Sequence, residues 1–436
     1  MSVIAPKFRL GYLIKGITDN IFWIIVLLTL IGIPAIQIVL IYIDFPVIDG
    51  EIWNPFRVFD AMTHPERALP LVKNFMQTDL FKVVAFPGFG FAALIAAAVI
   101  FVERKMLAKL QLRVGPFYCG KVEGILQLMA DGLKLISKEI IIPAKADKPL
   151  FWAAPVLFAA TAAAFVALIP VAPGWVVADI DLGLLAVFAV IGFFPIITIL
   201  AGWSSNSKFP FIGGIRALFQ MVSFEIPLIL SLLGIVMLTG TLSLVEIVES
   251  QVNFPWIIFM PIGAIVFFIC ILAELERIPF DLPEAESEIV AGWLTEFSGM
   301  MYGLVQLGSY LKLYAFAALF VVLFLGGWNG PWFFPIEPMA EIITDGIVLM
   351  PDALVIKDIP GLPLFSQEMI NGTIWFVLKT VGVIFFILLP RGVFPRVRID
   401  LLLKIGWYKL IVLAFVNIFI ALALVYGGII GPGGIL

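Results

Sequence analysis

The sequence predicts an all-α integral membrane protein of about nine transmembrane helices, with one further amphipathic helix lying along the interface. Three observations carry this. Hydrophobic residues make up 62% of the 436-residue chain and charged residues only 13%, about half the roughly 25% usual in a soluble domain. Mean hydropathy is +1.11. The apolar residues also fall into runs of spanning length, since about 20 residues rising ~1.5 Å each cover ~30 Å of hydrocarbon.

In order, the runs lie near 21–43, 84–103, 150–170, 182–202, 218–239, 256–275, 297–326, 373–390 and 407–427. Lys7, Arg9 and Lys15 precede the first, as in a signal peptide. That run is too long for a signal's apolar region and no Ala-x-Ala follows it, so a retained helix is expected. The seventh run is long for one span and is expected to tilt, or to break near Gly303 or Gly308. The chain divides into 1–83 (the first helix and a loop), a membrane domain over 84–427, and a short tail over 428–436.

Counting Lys and Arg in alternate connecting segments gives 19 on one side and 5 on the other. The basic side faces the cytoplasm, which places the N-terminus inside and the C-terminus outside a plasma (inner cell) membrane. On the inner side, Glu123, Gln127, Asp131, Lys134 and Lys138 recur at helical spacing. Ile125, Leu128, Met129, Leu135 and Ile136 fill the opposite side, the pattern of a helix lying in the interface plane. The outer loops 45–83 and 327–372 are rich in proline and aromatic residues and carry no chemical motif, and no internal repeat is evident.

Composition also removes function classes. A net charge of −4 offers no basic field for nucleic acid. Cys119, Cys270 and His64 are scattered singly, so no metal site or disulfide framework is expected within the chain. An electron carrier would therefore sit on a different subunit.

The sharpest constellation is the stretch 274–296. Glu274, Glu276, Asp281, Glu284, Glu286, Glu288 and Glu296 stand there with Arg277 as the only base. Pro279 and Pro283 forbid a continuous helix; one can restart after Pro283, placing Glu284, Glu288 and Glu296 on a common face. Carboxylates crowded at a membrane boundary raise one another's pKa, which suits proton exchange near neutral pH. An acidic run is ordinarily a solvated loop. This one abuts two spans and reverses the charge trend of its side, which favours the relay. Glu225, in Ser223-Phe224-Glu225-Ile226-Pro227, lies inside the fifth run, where a carboxylate costs roughly 2.5–3.5 kcal/mol unless paired, protonated or wet. Lys312 is a candidate counter-charge to one of these acids, and Lys379 a candidate for snorkelling. The basic groups after the second run and at 395–400, with Arg216, fit ordinary headgroup contacts equally well.

Taken together, these residues resemble the H-subunit family of respiratory complex I, the proton-pumping NADH:quinone oxidoreductase. The match spans roughly 84–425. It rests on Glu103-Arg104-Lys105, Gln111 to Pro116, Leu126-Gln127, Ala130 to Lys134, Lys138-Glu139, Pro173 to Asp179, Gly202 to Asn206, Arg216-Ala217, Ser223-Phe224-Glu225, the highly specific Phe280 to Glu288, and Pro395 to Asp400. The resemblance implies a subunit of a translocase that holds no redox cofactor of its own. It would share quinone with peripheral subunits and contact further membrane subunits and the bilayer. It implies a charge path through Glu225, Glu274, Asp281, Glu284, Glu286, Glu288 and Glu296, with Arg277 as basic partner. Arg104, Arg113, Asp131 and Lys134 would border the quinone access path, and Arg216 and Arg396 would be structural or coupling positions. The chain departs from the family in its extra first span, in Phe224 where Tyr is frequent, in Glu276 and Ile278 where Asn and Thr are common, in Val397 and Ile399 where aromatics are usual, and in its long 327–372 loop. Two other readings stand beside this one. A membrane anchor of a related hydrogenase would need no quinone, and a related reduced-deazaflavin dehydrogenase complex would take its electrons from a donor other than NADH. A stand-alone secondary transporter would move a solute without partners.

Overall fold

The computed structural model describes residues 79–120, 124, 126–331 and 367–427, and of 79, 80, 286, 287, 367 and 368 only the backbone. The expected span at 21–43, most of the two long loops, the tail 428–436, His64, Glu123 and the Glu286 side chain lie outside the described residues. Among those described, every regular element is a helix. The principal ones are α1 (Phe89–Leu110), α2 (Gln127–Ser137), α3 (Lys148–Ala167), α4 (Gly183–Ile191), α5 (Phe193–Ser204), α6 (Lys208–Thr239), α7 (Pro261–Glu274), α8 (Gly299–Phe324), α9 (Gln367–Leu388) and α10 (Ile411–Tyr426).

Among the described residues, seven helical stretches are long and apolar enough to cross a membrane, α4 and α5 forming one of them around Gly192, and α7 adds a shorter apolar helix. They fall on the eight runs expected from residue 84 onward. The run 256–275 yields only 14 helical residues. Pro255 and Pro261 bracket the difference, because proline lacks the N–H that would carry a helix through them. Part of the non-helical backbone this leaves is satisfied inside the protein, as an apolar surrounding demands, and Ile257 N donates to the Phe324 carbonyl at 3.0 Å. Gln251 Oε1 accepts from Trp256 N (3.2 Å) and Gly326 N (3.0 Å), while its Nε2 donates to the Val322 and Ile247 carbonyls (2.8 and 3.0 Å).

Helix α8 is the innermost element, with every residue from Leu311 to Phe324 buried, as befits a helix apolar on all sides. It runs unbroken through Gly303 and Gly308, which removes the break, one of the two expectations for this long run. Gly308 serves close approach instead. A Cβ at Gly308 would meet the Phe158 ring at 2.7 Å, and one at Gly303 would meet Leu135 of α2 at 3.4 Å. Helix α2 has no buried residue; Met129, Leu133 and Ile136 lie exposed along it, in keeping with the interfacial helix read from sequence.

The acidic stretch corrects a second expectation. After Pro283 the helix lasts only one turn, Glu286–Ile289, before a 3-10 turn at Gly292–Leu294. Val290 and Gly292 take left-handed backbone (φ 65° and 54°), so Glu284, Glu288 and Glu296 do not share one helix face. Gly292 is required where it stands, because a Cβ there would overlap the Pro283 carbonyl oxygen. The loop seats on α6 through Gly213, whose Cβ position lies 2.6 Å from Trp293 N and 2.7 Å from Gly292 Cα. Backbone atoms cannot swing aside as a side-chain tip can. Gly213→Ala is therefore expected to destabilise the fold by about 1–3 kcal/mol through overpacking, read as a lowered Tm of the purified protein. An unchanged Tm would refute this seating.

Candidate functional site

Two clusters of charge lie where the acidic loop meets the helices. The first is built around Glu103, near the end of α1 and only 2% exposed. Its Oε1 accepts from both Arg277 and Arg391, and its Oε2 accepts from the Tyr310 hydroxyl of α8 at 3.0 Å. The Arg277 guanidinium also stacks 5.2 Å from the Tyr310 ring centroid. Burial alone would lower the Arg277 pKa; Glu103 and Tyr310 outweigh it and hold the group above its ordinary value.

The second cluster is centred on Lys312 of α8. Its Nζ donates to the Glu274 carbonyl at 2.6 Å and approaches Glu274 Oε2 at 3.5 Å. Lys312 is 3% exposed and Glu274 1%. The ammonium also sits 4.3 Å from the Phe194 ring centroid of α5, a favourable position for a desolvated cation. Glu225 and Glu276 lie within its electrostatic reach. Glu225 projects from α6, which continues through Pro227. Its Oε1 packs against the chain at Gly192, where an added Cβ would come within 3.2 Å. Lys312 thus fulfils the expected counter-charge role and draws together acids of α6, α7 and the loop.

The remaining acids are spread along the loop. Asp281 Oδ2 accepts from Arg396 at 2.9 Å; burial raises its pKa and Arg396 only partly offsets this. Glu288 is half-exposed and pairs with Arg216 at 2.5 Å. Glu284 lies within electrostatic reach of Glu276. No ion pair among the described residues joins Glu296 to the others. Of the four residues expected beside a quinone, Arg104 and Asp131 bond to each other and tie α1 to α2. Burial would raise the Asp131 pKa, but Arg104 and Gln127 outweigh it and lower it. Lys134 lies within reach of Asp131, and Arg113 is exposed beyond α1.

Several residues that organise this region stand out little in the sequence. Glu103 reads there as part of an ordinary basic cluster, although an acid closing an apolar run on the basic side is itself a signal. Tyr310 carries none. Gln220 of α6 is buried and donates to the carbonyls of Ala273 and Phe280, both at 2.7 Å, so it clamps the two ends of the turn that carries Glu274, Glu276 and Arg277. Lys379 has a structural place rather than a snorkelling one, donating to the carbonyls of Leu325, Gly327 and Asn329 at 2.5–3.1 Å. The first of these is the carbonyl of the residue that caps the C-terminus of α8.

Comparison with known proteins adds two findings. A family model described as NADH dehydrogenase matches residues 83–422. The chain is 42% identical over 339 residues to the NADH-quinone oxidoreductase H subunit of Bacillus cytotoxicus, covering 76% of this chain and 92% of that one. It is 40% identical over 357 residues to the protein of the same name in Bacillus thuringiensis, covering 80% and 97%.

Proposed function

The chain belongs to the NADH dehydrogenase family, and from that membership we propose that it serves as a membrane subunit of a proton-translocating NADH:quinone oxidoreductase. In this reading it forms part of the quinone chamber and the start of a carboxylate path that couples quinone reduction to proton movement. The relatives carry quinone in their name, which favours this over a hydrogenase anchor. The path comprises Glu225, Glu274, Asp281, Glu284, Glu286, Glu288 and Glu296, with Arg277 as its anchored basic partner. Arg104, Arg113, Asp131 and Lys134 border the quinone access path. The chain itself holds no redox group; quinone is a substrate shared with peripheral subunits, which supply the electrons. It works in the inner cell membrane with its N-terminus in the cytoplasm.

One observation carries the reading: a lysine buried between spans, 3.5 Å from the carboxylate of one acid and within reach of two more. A buried charge is costly unless compensated, and ionisable groups within a membrane are functional by default. Lys312 stabilises whichever nearby carboxyl is ionised, so a proton can leave one and load another without stranding a bare charge. Reduction of a quinone consumes two electrons and two protons, and it shifts charge next to the loop that carries Glu284 and Asp281. Acids whose pKa values are coupled convert that shift into proton movement.

The test is Glu225→Gln and Glu284→Gln in the assembled complex, with NADH:quinone turnover and proton uptake followed in proteoliposomes. Assembly is expected to be preserved and coupled turnover to fall by about tenfold, which is roughly 1.4 kcal/mol of barrier. Normal coupled turnover in both variants would remove the relay role.

A further inference from the structure

One carboxyl in the loop stands apart from the path described so far. Glu276 follows α7 by two residues and takes left-handed backbone, φ 51°. That conformation is uncommon for a residue with a long side chain and persists only where surroundings impose it. Here Gln220 clamps the turn on both sides, through Ala273 and Phe280. The turn aims Glu276 inward while its neighbour Arg277 points to Glu103. Glu276 Oε2 accepts from Trp293 Nε1 at 3.4 Å, and its Oε1 is buried with no hydrogen-bond partner. A buried carboxyl oxygen left open in a native fold calls for an explanation.

The neighbours of Glu276 suggest one. From the loop it faces Glu284 and Asp281, and from α8 it faces Lys312. Lys312 in turn faces Glu274 of α7 and Glu225 of α6. Glu276 therefore reaches both the loop acids and the lysine that holds the membrane acids. We propose that Glu276 is a proton-carrying residue that joins Glu284 to Glu274 and Glu225 across the Lys312 site. The inference rests on the carboxylate path proposed above and adds a step to it. In that step the Glu276 carboxyl accepts one proton from the loop side and delivers one to the membrane side. It returns to the carboxylate, whose charge Lys312 balances.

Burial, reinforced by Glu284 and Asp281 and opposed by Lys312 and Trp293, brings the Glu276 pKa up to about 8. The group is then loaded below that pH and ionised above it, near enough to neutrality to exchange in both directions. A merely structural Glu276, bonded to Trp293, would be replaced by glutamine with little consequence.

The experiment compares Glu276→Gln, Glu276→Asp and Glu276→Asn in the whole complex, measuring coupled quinone reduction and proton uptake from pH 6 to 10 (a range of roughly two units either side of the pKa). Glutamine is expected to lower proton uptake about fivefold and to erase an alkaline limb centred near pH 8, with quinone reduction losing its dependence on uncoupler. Should glutamine prevent assembly, the aspartate and asparagine variants decide, being of equal size and differing in the acid alone. Aspartate is expected to restore most of the uptake and asparagine none. Unchanged uptake and pH profile in Glu276→Gln, or equal behaviour of aspartate and asparagine, overturns the proposal. The parallel Glu225→Gln variant separates the two claims. If it abolishes uptake while Glu276→Gln does not, the path stands and Glu276 is not part of it. If neither matters, the path itself fails.

Discussion

Lys312→Met is expected to stop coupled proton movement almost completely, by about a hundredfold or more, in a complex that still assembles. The side chain is a buried cation with three acids around it, and methionine keeps its unbranched apolar stem while removing the charge. Deleting one partner of a buried pair leaves the other uncompensated, a cost of about 3–5 kcal/mol. A carboxyl in that position reduces the cost, without removing it, by taking up a proton and staying neutral. Glu274 would then be locked in its protonated form and could no longer hand a proton on. A barrier increase of about 2.7 kcal/mol already gives the hundredfold loss. The measurement is proton uptake by reconstituted complex, set beside thermal stability. The double variant Lys312→Met with Glu274→Gln provides the control. It removes both charges together, so stability should return toward that of the parent while uptake stays lost. Full uptake in Lys312→Met alone would show that the lysine only packs there.

Hydropathy makes the spans legible because each must match the same hydrocarbon thickness, whatever its neighbours. It cannot rank them. Helix α8 reads like the others in sequence, yet it lies at the centre, and Gly308 looks like a break until the Phe158 ring is seen against it. Local propensity gives glycine one meaning and packing gives it another. The acidic loop is legible as chemistry, since seven acids at a membrane boundary demand explanation. Its shape is not, because the left-handed turns at Glu276, Val290 and Gly292 arise from contacts with α6 and α8. The partner of Lys312 lies beyond sequence for the same reason. The lysine and Glu274 stand 38 residues apart, and only the register of α8 against α7 brings them together. Arg216 shows the limit from the other side. It fits a headgroup contact on composition, whereas the fold pairs it with Glu288 at 2.5 Å.

The same logic makes Glu103 the residue whose loss should cost the most stability. Its carboxylate is shared by two arginines and a tyrosine hydroxyl that come from three separate parts of the chain: the loop after α7, the stretch following α9, and α8. The two ion pairs are not equal. The Arg391 side chain is 40% exposed, so solvent screens much of that attraction, whereas Arg277 is 14% exposed and Glu103 2%. Exposed pairs are worth about 0–1 kcal/mol, while breaking a buried one costs about 3–5 kcal/mol. Glu103→Gln keeps the shape and one acceptor but removes the charge, leaving Arg277 as a buried cation without its bonded carboxylate. A loss of about 3 kcal/mol is expected, a large part of the ~5–15 kcal/mol that typically stabilises a folded domain. The subunit should then fail to accumulate in membranes, as read by its abundance and by the Tm of whatever complex remains. Adding Arg277→Met should recover part of the loss, because the stranded charge goes with it; adding Arg391→Met should recover little, since that arginine reaches water. Equal rescue by the two would mean that burial does not set the energetics here. Normal accumulation of Glu103→Gln would mean that the acidic loop is held by its packing against Gly213 and Gln220, not by charge.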